Sequence, residues 1–144
     1  MQALPTLGDD DARTAVETIR AELARLGKAA VIAVADAHGE TICLLRMDGA
    51  ALSSIAVAAN KAFTAARLRR PSRVIGRNVR NAETGFDISY YGDPRYVGWA
   101  GGLPVVIDER VVGAVAVSGL AEDEDEDLAR LGIAAIMAHR EPGH

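Results

Sequence analysis

Two pairs of apolar, β-branched runs, each joined by a tight polar break, constrain this chain most. Residues 103–108 and 111–117 are separated only by Glu109-Arg110, and residues 29–37 and 40–47 only by His38-Gly39. Runs this close pair with each other as hairpins. Parallel strands would need a crossover of a dozen or more residues between them. The spacing therefore predicts an α+β fold with an antiparallel sheet rather than a doubly wound parallel one. The chain shows no internal repeat and no linker, so its 144 residues read as one domain, residues 1–144, with a tail over 1–8 and a core over about 9–140.

Helices fill the intervals. Over residues 12–26 the apolar positions Ala12, Ala15, Val16, Ile19, Leu23 and Leu26 recur every three or four residues, which is an amphipathic helix. Asp9 to Asp11 offer its cap and first turn, and Gly27 its stop. Asp48-Gly49 breaks the fourth-decade strand, and residues 50–68 read as a longer helix ended by Pro71. Ser72 is placed to cap a short helix over 74–79. Residues 81–102 are the least regular part and hold many glycines and most of the aromatics. After Ser118-Gly119 a terminal helix over 122–139 is expected, with Leu128, Leu131, Ile133, Ala135 and Ile136 as its apolar residues.

Composition matters at two points. The formal charge of −4 conceals opposed clusters: residues 122–127 are all acidic, whereas Arg67, Arg69, Arg70, Arg73, Arg77 and Arg80 gather after the central helix. An acidic chain with no aromatic among those arginines is not expected to bind nucleic acid. The arginines read as a solvated helix end or as partners for carboxylates across a subunit contact. Acids in the first turn suit the helix dipole, and six exceed what capping needs, so the excess reads as solubility or steering. The one cysteine, Cys43, excludes a disulfide framework and reads as a buried, inert thiol in a strand. With no apolar run of membrane-spanning length and no visible signal segment, a cytoplasmic protein without membrane contact is expected.

The usual catalytic signatures do not occur: there is no phosphate-binding loop, dinucleotide fingerprint or serine elbow. His38, His139 and His144 lack metal-ligand spacing, and His38 reads as a polar turn residue, so no metal site is expected. Lys61, on the face of the central helix that should cover the sheet, reads either as a snorkelling surface lysine or as an anion anchor at a pocket mouth. Arg46 ends a strand where it could reach the same site. The segment with Tyr90, Tyr91, Tyr96 and Trp99 suits a flat apolar ligand or a subunit contact, or packs the loop onto the body.

The order of these motifs resembles the GlcG/HbpS-like family, also called the haem-degrading domain family. The resemblance rests on Arg46-Met47-Asp48-Gly49-Ala50, Lys61-Ala62-Phe63-Thr64-Ala65-Ala66 and Pro71-Ser72 in the first half. In the second half it rests on Gly101-Gly102-Leu103-Pro104-Val105 and the stretch from Val112 to Gly119 before an acidic helix start. It covers about residues 12–138. The chain departs from the family pattern at Asp108-Glu109-Arg110, at Leu120 and in the loop from Tyr90 to Trp99. The resemblance implies a profilin-like antiparallel sheet with helices packed on it, assembled as a dimer or larger symmetric oligomer. It also implies haem binding near a subunit contact. For haem or a related anionic ligand, Arg46 and Lys61 would meet carboxylates and Tyr90, Tyr91, Tyr96 or Trp99 the flat face. Two other readings stay open: an enzyme for a small organic acid with Lys61 or a tyrosine as acid or base, and an accessory oligomer without chemistry.

Overall fold

A computed structural model describes residues 1–140; His144 lies outside them. The order is α1 (Asp9–Arg25), β1 (Val31–Asp36), β2 (Thr41–Arg46), α2 (Ser53–Leu68), α3 (Ser72–Val79), a 3-10 turn (Ile88–Tyr91), β3 (Gly102–Ile107), β4 (Arg110–Ser118) and α4 (Glu122–Arg140). The four strands form one antiparallel sheet in the order β2-β1-β4-β3. Both expected hairpins form, and β1 joins them by pairing with β4 from Val31↔Ser118 to Asp36↔Gly113.

The period of two in β1 and β4 sorts side chains by size as well as by polarity. Val31, Ala33 and Ala35 of β1, with Ala114 and Ala116 of β4, face α2. Its Ala58, Ala62, Ala65 and Ala66 pack on them. Ile32, Val34, Val115 and Val117 point the other way, into a core with Ile19 and Leu23 of α1 and Leu128, Ala129 and Ile136 of α4. The result is three layers: α2, the sheet, then α1 beside α4. Both faces of the central strands are covered, which is why residues 29–37 carry almost no polar side chain.

Several boundaries differ from the sequence expectation, each for a local reason. Helix α1 begins at Asp9, because Gly8 is its cap and the Asp11 carboxylate accepts the Gly8 N–H at 3.0 Å. The tail is not loose throughout: Leu7 is buried, and its N–H donates to the Val112 carbonyl at 2.8 Å. Helix α2 starts at Ser53, since the Ala50 N–H closes a turn on the Met47 carbonyl. It stops at a left-handed Arg69, before Pro71. Ser72 is the first residue of α3 rather than its cap, and Pro71 holds the cap position. The second hairpin turns on Asp108 and Glu109, both at positive φ, so Arg110 already belongs to β4. In α4, Leu131 is exposed, whereas Ala129 and Gly132 are buried.

Candidate functional site

Lys61 is 1% exposed and is among the largest fully buried side chains of the described residues. Its Nζ donates to the Val117 carbonyl at 3.0 Å and lies 3.2 Å from Asp125 Oδ2. Asp125, 2% exposed, uses Oδ1 to accept the Leu120 N–H at 3.1 Å. Burial pulls the lysine below its ordinary pKa, and the Asp125 charge opposes that shift. Burial likewise pushes the aspartate up, against the attraction of Lys61. Gly101 lies directly over this pair, at φ +128, where a Cβ would come within 2.8 Å of the Lys61 Nζ.

In this structure Lys61 is enclosed rather than set at a pocket mouth. The ammonium is closed in by Val117, Asp125 and the backbone at Gly101, and Lys61 lines neither cavity described here. Its visible role is to tie α2 to the start of α4 across the end of β4.

The acidic run is likewise engaged with the chain itself. Glu122 accepts the Ala100 N–H at 3.2 Å. Asp123 and Glu126 both pair with Arg73, the latter at 3.1 Å. Glu124 pairs with Lys28 at 2.5 Å and Asp127 with Arg130 at 2.7 Å. With Asp125 on Lys61, each of the six acids has a partner within the chain. Arg73 meets its carboxylates within one chain.

The irregular segment after α3 is fastened at several points. The Thr64 hydroxyl on α2 accepts the Val97 N–H at 3.0 Å and donates to the Arg95 carbonyl at 3.3 Å. The Ser72 hydroxyl donates to the Trp99 carbonyl at 2.6 Å and accepts the Gly102 N–H at 3.0 Å. The Arg95 guanidinium sits 4.0 Å from the centre of the Phe63 ring, 2.9 Å from Asp93 and 3.2 Å from Glu40. These hydrogen bonds hold its pKa above the ordinary arginine value and that of Asp93 below the usual carboxylate range. Arg67 covers Phe63 as well, at 5.0 Å.

Four rings form a continuous array. Phe63 meets Tyr96 at 4.9 Å, Tyr96 meets Tyr91 at 4.7 Å, and Tyr91 meets Phe86 at 5.6 Å. Its outer end walls a groove of about 260 Å³ between the end of α2, α3 and the loop. Leu68, Ile75 and Val79 give that groove an apolar floor, Phe86 and Tyr91 a flat wall, and Arg70 a positive charge.

The expected site residues are therefore not one constellation. Tyr91 and Tyr96 are brought together. Tyr90 and Trp99 are 81% and 59% exposed and do not line the groove. Arg46, exposed at the end of β2, lies opposite Val31 and does not line it either. Sequence reasoning missed Phe63, Phe86 and Arg70. Phe63 entered only as part of a helix motif, and Arg70 as one of a cluster read as a solvated helix end or as partners for carboxylates. The usable signal was Phe86 itself, the one large apolar residue within 81–87.

Cys43 is half-buried on edge strand β2. His38 is a turn residue whose N–H donates to Asp36 Oδ1 at 2.9 Å. Among the described residues no group of His, Cys, Asp and Glu side chains could hold a metal ion, and no helix is long and apolar enough to cross a membrane.

Comparison with known proteins gives this geometry a context. A crystal structure of Klebsiella pneumoniae protein ORFY superposes with a TM-score of 0.90 at 29% identity, covering 96% of this chain and 95% of that one. A crystal structure of a PduOC–haem complex superposes at 0.83 with 25% identity, covering 90% and 94%. A Citrobacter freundii 15.0 kDa protein encoded between dhaT and dhaS is 30% identical over 132 residues, 92% of this chain and 93% of that protein. The family model described as haem degrading protein HbpS-like matches residues 7–134. With that match spanning the sheet, α1 to α3, the fastened loop and most of α4, the chain belongs to the HbpS-like haem-degrading family.

Proposed function

We propose that this chain is a small-ligand-binding module, cytoplasmic and homo-oligomeric, whose ligand is haem or a related planar anion held near a subunit contact. The observation that carries the reading is the groove of Phe86, Tyr91 and Arg70, in a fold shared with a solved haem complex. A flat macrocycle needs an apolar wall, a cation for its carboxylates and a donor for its iron. Phe86 and Tyr91 supply the wall, Arg70 the cation, and the Tyr91 phenol an oxygen of the type that serves as a haem ligand elsewhere. The residues thus fit the group. Bound haem would contribute an iron centre for redox or oxygen chemistry. The chain's own residues orient the ring, neutralise its carboxylates and limit water at its face.

The groove's size argues for a second copy. Sites for drug-sized ligands enclose roughly 300–1,000 Å³, and about 260 Å³ falls short of that. One subunit therefore covers part of a macrocycle. Arg46, Tyr90 and Trp99, exposed and outside the groove, are suited to completing a neighbour's site. Tyr96 supports Tyr91 from behind, and Lys61 acts through the position of the Gly101 backbone.

Titration with hemin, followed by absorption and by sedimentation, tests this. A defined Soret band that saturates at one equivalent per subunit or per dimer, on a species larger than a monomer, is expected. A broad signal that does not saturate would overturn the haem assignment.

A further inference from the structure

A second cavity, of about 380 Å³, lies between the N-terminal segment, the β3–β4 hairpin and the end of α4. It shares no lining residue with the aromatic groove. Leu7, Ile107 and Val112, all members of or packed on the α1–α4 core, form its apolar surface. Arg110, Arg140 and Asp108 supply its charge.

Its walls are fixed rather than loose. The Leu7 N–H donates to the Val112 carbonyl at 2.8 Å, and the Thr6 hydroxyl accepts the Ala37 N–H at 2.9 Å. The Asp108-Glu109 turn, with both residues left-handed, sets where Arg110 enters β4. Among the described residues the two guanidiniums are only lightly engaged. Arg110 has no ion-pair partner among the described residues, and Arg140 has only Asp11, at 3.7 Å. Guanidinium groups offer the donor fork that fits a carboxylate. Fixed apolar walls beside them offer burial to a hydrocarbon body.

We propose that this cavity binds a small organic monocarboxylate, its carboxylate on Arg110 and Arg140 and its hydrocarbon body against Leu7, Ile107 and Val112. The negative charges of Asp108 at the rim and Asp11 beside Arg140 select against a second anionic group on the ligand. The site is independent of the haem reading, and either can fail alone.

Hexanoate is the probe, added to the full chain and followed by amide NMR, with hexanol, hexylamine and adipate as controls. Saturable shifts at Leu7, Ile107, Arg110 and Val112 are expected with hexanoate, and at least about tenfold weaker binding of each control. Arg110→Gln and Arg140→Gln, both at exposed positions, should each weaken hexanoate by about tenfold while the rest of the spectrum stays in place. Equal binding of hexanol, shifts at Phe86 and Tyr91 instead, unchanged affinity in both variants, or no saturation would each overturn the proposal.

Discussion

At the scale of single residues, Lys61 and Asp125 show what a sequence hides. A lysine on an alanine-rich helix face is compatible with a surface stem, an anchor or a buried ion, because helical periodicity assigns the face and not the partner. The partner lies 64 residues away in an acidic run, where nothing local separates Asp125 from its neighbours. Removing two charges from water is costly, and their attraction offsets this only while both are present. Lys61→Met or Asp125→Leu alone should therefore cost about 3–5 kcal/mol. The paired change Lys61→Met with Asp125→Leu should cost far less than the sum of the two. Urea unfolding of the single and paired variants reads this directly. Additive losses would mean that the two side chains act independently.

At the scale of elements, the hairpins were legible and the junctions were not. Strand period and short polar breaks depend on neighbours in sequence, and those readings match the sheet. The role of Ser72 depends on contacts from afar, and the start of α2 and the turn after β3 depend on local backbone turns that residue patterning does not encode. Ser72 was free to cap nothing because its hydroxyl is needed by the backbone at Trp99 and Gly102. The β3–β4 turn retains a trace of strain. Asp108 and Glu109 sit at φ 51 and 64, a conformation that suits glycine and costs other residues roughly 1–2 kcal/mol each. Glu109→Gly should raise stability by about 1 kcal/mol in thermal or urea unfolding. A loss of stability would show that the Glu109 side chain compensates for its backbone.

At the scale of the whole molecule, opposed charge clusters resolve into an internal brace. The acidic start of α4 reaches Lys61 on α2, Arg73 on α3 and Lys28 after α1, so one run of carboxylates ties three helices together. Exposed members of such pairs contribute little individually, about 0–1 kcal/mol, and the buried one sets the alignment. On the α2 side of this frame the fastened loop presents its ring array, and on the α1–α4 side the N-terminal segment closes a separate cavity. The family resemblance was readable because it rests on motif order. The groove was not, because its walls come from three elements and its charge from an arginine that had looked solvated.

The most direct test of that groove is hemin titration of the Tyr91→Ala, Arg70→Ala double variant beside the native chain and an Arg46→Ala variant. The double variant should bind at least about tenfold more weakly while its far-ultraviolet spectrum is unchanged. Native affinity in the double variant would place the ligand elsewhere and contradict the account.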